Sequence, residues 1–495
     1  MSILISAFES AMNLTTTSNG ALSYSTPDLD KQSDGRLSLF FKTIRGISDE
    51  YLIEYINKAL IEDVNDTFLL AFNSRDPRGG KGERTIGRKM FEYLWLNQPE
   101  KFKKVAHLIP EYGRWDDLLS FFPKEDYIVS LFCEKLKEDK QLMNEGKPIS
   151  LCSKWAPSEG DSDDKKYGLV NLICDKLGIS KREYRKDYIS PLREYLDIVE
   201  RYMCAKRWYE IEYSKVPSCA MKKLKKAFER NAPEAFNEWT SKLEKGEVKV
   251  NAKVLHPHEL IRELRTKGPD TVLESQWKVI EDEVKKLGIL KDSLVVVDTS
   301  SSMNDPKFLP LDIAVALGII ISSVTEGEFK GHVITFNDVP KFVKITGNTL
   351  FDRFKQVKNI PWGGSTNLQA TFDMILEKAE LAKLKQSDMP KRLFIISDMQ
   401  FNDIEGSYSK RSTNLEEIDK KYKKSGFKRP DIVFWNVNGV STDFPATTKD
   451  DGTCLVSGAS PAIIKSILKV KEFNSYSILR EELDSERYKQ VRELL

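Results

Sequence analysis

The chain has 495 residues, of which 77 are Lys or Arg and 75 are Asp or Glu, so its formal charge at neutral pH is +2. This length exceeds one ordinary domain and predicts two or more. The charge balance argues against a tail-driven nucleic-acid binder. A hydrophobic fraction of 40% suffices for buried cores and argues against disorder over most of the chain, whereas 31% charged residues argue against a membrane protein.

Membrane and export signals are not found in the sequence. The longest apolar stretch, residues 311–324, is interrupted by Asp312 and is shorter than the roughly 20 residues that a bilayer crossing needs. The N-terminus lacks a charged leader region and carries Glu9 within its apolar stretch. Six cysteines are scattered without a CxxC pair, which is typical of reduced thiols. We therefore expect a cytoplasmic protein that does not bind a membrane.

The first two segments in chain order differ in composition. Residues 1–47 are rich in Ser, Thr and Asn and are expected to be loosely ordered. Residues 48–288 contain amphipathic stretches of helical period separated by short polar or glycine breaks, for example DEYLIEYINKALIED and VLESQWKVIEDEVKKLG. A region of this size predicts a HEAT-like α-helical repeat array, although no exact sequence repeat fixes its period.

A basic turn lies early in this helical region, in the segment RDPRGGKGER (residues 75–84). Its basic residues are Arg75, Arg78, Lys81 and Arg84. A helix N-terminus with nearby arginines binds anions such as phosphate, which makes this turn a candidate RNA contact. The alternative is a connecting loop whose arginines pair with acidic helix ends.

A second basic stretch, residues 181–230, contains 14 basic and 8 acidic residues with aromatic residues interleaved. Positive charge attracts phosphates, and aromatic or arginine planes stack on unpaired bases, so single-stranded or structured RNA is a candidate ligand. The candidate contacts are Lys181, Arg182, Arg185, Lys186, Lys206, Arg207, Lys222, Lys223, Lys225 and Lys226. The alternative is a solvated lysine face whose aromatic residues pack inside the array.

Near residue 291 the pattern changes to short β-branched runs that alternate with helices, from SLVVVD through GHVITFN and RLFIISD to DIVFWNV. Such alternation, with fully apolar strands, is typical of a parallel sheet covered by helices on both faces. Residues 289–495 are therefore predicted to form a doubly wound α/β domain. In such sheets, ligands bind at the carboxyl ends of the strands.

Oxygen-bearing side chains follow the predicted strands at three places. Asp298, Ser300 and Ser302 come after the first strand, Thr366 lies in a Gly-rich turn before a helix, and Asp398 ends the strand RLFIIS. Each piece alone is explained as a helix cap, because Asp and Ser accept the free N–H groups of a helix start. Together, in this strand order, they favour a site for Mg²⁺ or Mn²⁺, which prefer hard oxygen ligands.

The DxSxS motif, the later Thr and the strand-end Asp resemble the metal-ion-dependent adhesion site of von Willebrand factor A domains, and all five positions match. The resemblance implies that Asp298, Ser300, Ser302, Thr366 and Asp398 hold a divalent ion. It also implies that an open position on the ion accepts a carboxylate or another oxygen from a partner.

The order of the two predicted domains resembles the Ro (TROVE) proteins, in which a ring of helical repeats binds RNA and an A domain closes the ring. The segments RDPRGGKGER, GRWDDLL, SLCSKWAPS and LVSGASP resemble more closely the relatives of that group that carry the domain of unknown function 2828. This resemblance implies family membership over most of residues 20–490 and leaves the activity open.

These observations predict a non-enzymatic, Ro-like ribonucleoprotein component. The helical array would bind RNA, and the A domain would bind an acidic side chain of a protein partner through Mg²⁺ or Mn²⁺. One alternative is a protein interaction scaffold without nucleic acid. A third is a metal-dependent hydrolase at Asp298 and Asp398, although the sequence offers no nucleophile with a neighbouring histidine and no phosphate-binding loop motif.

Overall fold

A computed structural model describes residues 13–27, 34–121, 125–336, 339–360, 365–403, 412–448 and 450–495. The chain forms two compact units. The sheet unit consists of residues 1–90 and 252–489, and the helical unit consists of residues 91–251 and 490–495. Among the described residues, no helix is long and apolar enough to span a bilayer.

The strands all belong to the sheet unit. They are β1 (Leu14–Thr16), β2 (Leu22–Tyr24), β3 (Leu290–Lys291), β4 (Ser293–Val297), β5 (Thr325–Glu326), β6 (His332–Thr335), β7 (Lys341–Lys344), β8 (Arg392–Ser397), β9 (Asp431–Asn436) and β10 (Thr453–Ser457). Six of them form one sheet with the order β10-β9-β8-β4-β6-β7. In this sheet β7 is antiparallel to β6 and the other neighbours are parallel.

Helices of the sheet unit flank these strands along the chain. The α-helices are Gly35–Lys42, Asp49–Glu62, Val64–Arg75, Pro257–Lys267, Thr271–Leu287, Pro310–Val324, Leu350–Asn359, Leu368–Leu381, Asn414–Lys424, Ile464–Lys469 and Ser475–Leu483. Short 3-10 turns are Ser301–Met303, Gln386–Asp388, Pro461–Ile463 and Glu486–Tyr488. The helices Arg84–Asn97 and Lys489–Leu494 each contain a boundary between the two units.

Helices cover both faces of the sheet. Val296 of β4 packs in a cluster with Phe372 and Ile418, which belong to the helices Leu368–Leu381 and Asn414–Lys424. Its neighbour Val297 points to the other face, where it contacts Gly318 of the helix Pro310–Val324. This arrangement agrees with the predicted α/β class, although the sheet is mixed because the edge strand β7 is antiparallel.

The strand order predicts a crevice between the carboxyl ends of β4 and β8, which are neighbours in the middle of the sheet. From its carboxyl end β4 leads to β6 on one side, whereas β8 leads to β9 on the other. Connections that leave in opposite directions open a ligand-binding crevice at the strand ends. Asp298 and Asp398 are the first residues after these two strands.

The N-terminal segment differs from the predicted loose order. Its described residues form the β1–β2 hairpin and the helix Gly35–Lys42, which Asp34 caps. Tyr24 pairs with Phe444 through the backbone, and the ring of Phe41 lies 5.5 Å from the ring of Phe444. The composition of this segment indicates only its local propensity. Contacts with residues far away in the sequence make the segment ordered and bury it.

The helical unit contains α-helices and short turns. Its α-helices are Pro99–Val105, Ile109–Tyr112, Asp126–Asn144, Cys152–Trp155, Ser162–Tyr167, Leu169–Leu177, Lys181–Glu183, Ser190–Tyr195, Val199–Cys204, Ser218–Asn231 and Pro233–Glu244. A π-helical turn spans Tyr184–Ile189, and 3-10 turns span Ala106–Leu108, Trp115–Asp117, Leu119–Phe121, Trp208–Glu210 and Tyr213–Lys215. Between positions 48 and 288 the described residues form no strand, as the sequence predicts.

Candidate metal centre

The loop after β4 supplies the first part of the candidate site. Asp298 is fully buried, and one of its carboxylate oxygens accepts the N–H of Ser300 at 2.9 Å. The other oxygen accepts the hydroxyl of Ser397, the last residue of β8. The Oγ atoms of Ser300 and Ser302 lie 3.1 Å apart, and Ser302 is exposed. The alternating motif therefore brings one carboxylate and two hydroxyls to the same end of the sheet.

The loop after β8 supplies the second carboxylate. Asp398 is buried and accepts the N–H of Gln400 at 3.2 Å. The side chain of Ser302 lies close enough to favour the ionised form of this carboxylate. Burial raises the pKa of Asp298, and the nearby charge of Asp398 raises that pKa further. Burial also raises the pKa of Asp398. Two buried carboxylates this close repel each other when both are ionised, and a divalent cation between them would offset that repulsion.

Thr366 contributes a buried hydroxyl. Its backbone is held by Asn402, which donates its own N–H to the Thr366 carbonyl at 3.0 Å and accepts the Thr366 N–H on its side chain at 3.2 Å. Thr366 Oγ1 has no hydrogen-bond partner among the described residues. A buried polar group without a partner costs about 1–3 kcal/mol, so this hydroxyl is a candidate ligand for a bound cation.

The donor set fits Mg²⁺ or Mn²⁺ by its chemistry, because it consists of carboxylate and hydroxyl oxygens. It contains only two carboxylates. Accordingly, the described part of the chain holds no cluster of three or more His, Cys, Asp and Glu side chains suited to a metal. The structure brings Asp298, Ser300, Ser302 and Asp398 together, and it ties Thr366 to the loop that follows Asp398 through Asn402.

Three residues around this site are not predicted from the sequence. Ser397 and Asn402 hold Asp298 and Thr366, respectively. Asp443 is a buried carboxylate in the loop after β9, and its charge contributes to the raised pKa of Asp398. Since β9 is the next strand in the sheet, the position of Asp443 after a third apolar strand is a signal that could have identified it.

The basic turn at residues 75–84 differs from the predicted RNA contact. Arg75 and Lys81 are buried. Lys81 donates to the carbonyl oxygens of Phe40 and Thr43 and to the hydroxyl of Ser457, the last at 2.8 Å. Burial lowers the pKa of Lys81 to about 7. These two side chains therefore cannot contact a polymer at the surface, whereas Arg78 and Arg84 are exposed.

Most of the basic residues predicted between positions 181 and 226 are at the surface. Those that are exposed are Lys181, Arg182, Arg185, Lys186, Lys206, Arg207, Lys223 and Lys226. Lys222 is half-buried and Lys225 is buried, so Lys225 is not an RNA contact. Some of these exposed cations have acidic neighbours, since Lys181 lies 3.5 Å from Glu159 and Arg207 lies 3.2 Å from Glu210.

Several of the interleaved aromatic residues pack inside the helical unit. Tyr184 is buried and donates its hydroxyl to the carbonyl of Pro157 at 3.0 Å. The ring of Tyr213 lies 5.3 Å from that of Phe228 and 5.1 Å from that of Phe236. Stacking of these rings on bases is therefore excluded by their burial, which favours the packing alternative for these positions.

Comparisons with known proteins match both halves of the chain. Residues 125–290 match the family model described as Domain of unknown function (DUF2828), which confirms the predicted relationship, and residues 292–493 match Domain of unknown function (DUF7788). "Uncharacterized protein L728" from Acanthamoeba polyphaga mimivirus is 33% identical, with 95% of this chain and 87% of that protein covered. Among solved structures, the Deinococcus radiodurans RO (RSR) protein is similar with a TM-score of 0.36 and 11% identity, over 91% of this chain and 99% of that one.

Proposed function

We propose that this chain, which belongs to the family of protein L728 of Acanthamoeba polyphaga mimivirus, binds a protein partner through a divalent cation held at the ends of β4 and β8. The residues that would hold Mg²⁺ or Mn²⁺ are Asp298, Ser300, Ser302, Thr366 and Asp398. The bound ion would supply a positive centre for a carboxylate oxygen of the partner. The observation that carries the proposal is the convergence of two buried carboxylates and two hydroxyls at the carboxyl ends of β4 and β8.

The side chains around the crevice have different tasks in this proposal. Asp298 is fixed on both oxygens, by the N–H of Ser300 and the hydroxyl of Ser397, so its position does not depend on a ligand. Asp398 is held by the N–H of Gln400, and the side chain of Ser302 lies near its carboxylate. Ser302 is exposed, whereas both carboxylates are buried, so the open side of the site lies toward Ser302.

Isothermal titration of the full chain with Mg²⁺ or Mn²⁺ tests the cation site. We expect binding by the wild type and a loss of at least about tenfold in affinity in Asp298→Asn and Thr366→Val, since each removes one oxygen donor. Ser301→Ala is the matched control, because Ser301 is an exposed hydroxyl in the same loop outside the proposed set. A wild type that binds neither ion would overturn the proposal.

RNA binding is a second candidate function, which the surface of the helical unit supports. Lys181, Arg182, Arg185 and Lys186 are exposed on consecutive turns that begin at Ser180. A concentration of positive charge on one short segment attracts the phosphates of a single strand without base specificity.

Fluorescence anisotropy with a uridine oligonucleotide at increasing NaCl concentration tests this second function. We expect salt-dependent binding that becomes weaker and less sensitive to salt when Arg182, Arg185 and Lys186 are all changed to Glu, because the variant neutralises fewer phosphates. The control changes Lys242, Lys245 and Lys249 to Glu, which alters the net charge equally within the same unit. Equal weakening in both variants would contradict a specific RNA surface, and partners that survive nuclease treatment would favour the protein scaffold.

A further inference from the structure

The β1–β2 hairpin (residues 13–26) lies against the loop that follows β8, here called the Asp398 loop (residues 398–403). The hydroxyl of Thr17 donates to the Phe401 carbonyl at 2.6 Å. The side-chain amide of Asn19 donates to the Gln400 carbonyl, also at 2.6 Å. The backbone adds a bridge between Gly20 and Asn402. The tip of the hairpin therefore holds the backbone of three consecutive residues of the Asp398 loop.

The same loop residues hold the candidate metal ligands. Gln400 donates its N–H to the carboxylate of Asp398 at 3.2 Å. Asn402 forms two hydrogen bonds with the backbone of Thr366, at 3.0 and 3.2 Å. Gln400 and Asn402 of the Asp398 loop therefore contact both the hairpin and the candidate metal ligands.

The Asp398 loop has a backbone conformation that needs support. Met399, the residue after Asp398, has a φ of +66° and is fully buried. A left-handed conformation is unfavourable for a residue other than glycine and persists only where the surroundings enforce it. The N–H of Met399 donates to Ser397 Oγ at 3.0 Å, and the hairpin fixes the next residues. The hairpin thus helps to maintain the turn directly after Asp398.

A second contact links the hairpin to the loop after β9. Ser23 donates its hydroxyl to the carboxylate of Asp443 at 2.7 Å, and Tyr24 and Phe444 exchange backbone hydrogen bonds at 2.9 and 2.8 Å. Gln400 also donates its side-chain amide to Asp443 at 3.4 Å. The hairpin therefore contacts the loops at the ends of both β8 and β9.

We propose that the β1–β2 hairpin is a positioning element of the cation site. It holds the Asp398 loop in the conformation that presents Asp398 and Thr366 to the ion, so that ion affinity depends on Thr17 and Asn19, which are outside the proposed ligand set. The inference rests on the cation site proposed above and adds a dependence of that site on the N-terminal segment.

Titration of the full chain with Mn²⁺ in Thr17→Val, Thr17→Ser and Asn19→Ala tests the inference. We expect Thr17→Val and Asn19→Ala to weaken Mn²⁺ binding by about tenfold, the size typical of residues that support metal ligands. Thr17→Ser retains the hydroxyl and is expected to restore the affinity. Ser25→Ala is the matched control, because Ser25 is exposed in the same hairpin and its hydroxyl bonds within it, to the Leu14 carbonyl at 3.4 Å.

Hydrogen exchange without added ion provides a second readout. We expect the Asn402 amide, which donates to Thr366, to exchange faster in Thr17→Val than in the wild type, while the midpoint of global unfolding stays within the range of the Ser25→Ala control. A wild type that does not bind Mn²⁺ would end both the cation site and this inference. A wild type that binds, together with Thr17→Val and Asn19→Ala variants of unchanged affinity, would end this inference alone.

Discussion

Asp298 and Asp398 make the stability of the sheet unit depend on pH. Burial raises both pKa values, so the folded chain binds more protons than the unfolded chain between the ordinary carboxyl pKa and the raised one. Without a divalent ion, the contribution of these groups to the free energy of unfolding is therefore present at low pH and is lost as the pH rises through this range. An ion that requires both carboxylates in ionised form competes with these protons.

We accordingly expect Mg²⁺ to raise the melting temperature more at about pH 8 than at about pH 5, because burial raises the pKa of Asp298 to about 7 and its proton competes with the ion at the lower pH. Differential scanning fluorimetry with and without Mg²⁺ at both pH values measures this difference. In Asp298→Asn, the difference between the Mg²⁺-induced shifts of the melting temperature at the two pH values should disappear. Equal shifts at both pH values in the wild type would contradict the carboxylate assignment.

Lys81 makes the free energy of unfolding depend on pH with the opposite sign. Its pKa in the folded chain is lowered from 10.5 to about 7 by burial, so the folded chain binds fewer protons than the unfolded chain between these values. The contribution of Lys81 to the free energy of unfolding therefore increases as the pH rises from about 7 toward about 10.5, by at most about 1.4 kcal/mol per pH unit.

Urea unfolding at about pH 7 and about pH 9 tests this assignment, because Lys81→Met removes the titrating group. We expect the gain in stability between the two pH values to be smaller in Lys81→Met than in the wild type. Lys223→Met, at an exposed position, should keep the wild-type gain. If Lys81→Met gains as much stability between the two pH values as the wild type does, Lys81 is charged in the folded chain.

At the scale of single residues, spacing and strand order predict that Asp298 and Asp398 lie at the same edge of the sheet. Asp298 and Asp398 both follow runs of β-branched residues, and parallel strands bring their carboxyl ends to one edge. The burial of Lys81 could not be predicted in the same way. Its hydroxyl partner Ser457 lies 376 positions along the chain, and only tertiary packing decides that contact.

The helix Pro310–Val324 shows how closely one element approaches the sheet. A Cβ atom at Gly318 would lie 2.4 Å from Cγ2 of Val297, which is a buried residue of β4. Alanine would favour the helix over glycine by about 1 kcal/mol, whereas overpacking a core costs about 1–3 kcal/mol. The steric cost is therefore expected to exceed the gain in helix propensity.

We expect Gly318→Ala to lower the free energy of unfolding by about 1–2 kcal/mol, measured by urea denaturation. The double variant Gly318→Ala with Val297→Ala provides the control, because it removes the methyl group that clashes. The two substitutions should be less destabilising together than the sum of their separate effects. Additive effects would indicate that the helix moves away from β4 instead.

At the scale of elements, sequence periodicity predicts whether an element is a helix or a strand better than it predicts which elements pack against it. The buried β-branched runs of β4, β8 and β9 were recognised, whereas β10 (Thr453–Ser457) was not. The β1–β2 hairpin was also missed, because its strands have three residues each and its order comes from contacts with Phe401 and Phe444. Such short strands carry too few residues for a periodic signal.

At the scale of the molecule, ion pairs join distant parts of the chain within the sheet unit. Asp66 pairs with Arg36 at 2.8 Å and also with Arg480. Asp76 is fully buried and pairs with Arg487 at 2.7 Å, across 411 positions of sequence. These pairs connect the residues before position 90 to the last helices of the same unit, which a change of sequence pattern near residue 291 does not reveal.

Removing the Asp76 charge is expected to destabilise the chain by about 3 kcal/mol, because this fully buried carboxylate accepts hydrogen bonds from the Arg487 guanidinium and from the Arg78 N–H. Thermal and urea unfolding of Asp76→Asn measure this effect. Glu54→Gln is the control, since Glu54 forms an exposed pair with Lys58 at 2.7 Å and should change stability by less than about 1 kcal/mol. Similar effects of the two substitutions would contradict the structural role of Asp76.

The pairing of the β1–β2 hairpin also has a consequence for biosynthesis. Ser23 bonds Asp443, which is 420 positions later in the chain. A ribosome that adds about 5–20 residues per second would release the hairpin tens of seconds before its partners exist. During translation this segment would therefore lack its native contacts and be accessible to chaperones. The cation site would form only near the end of synthesis.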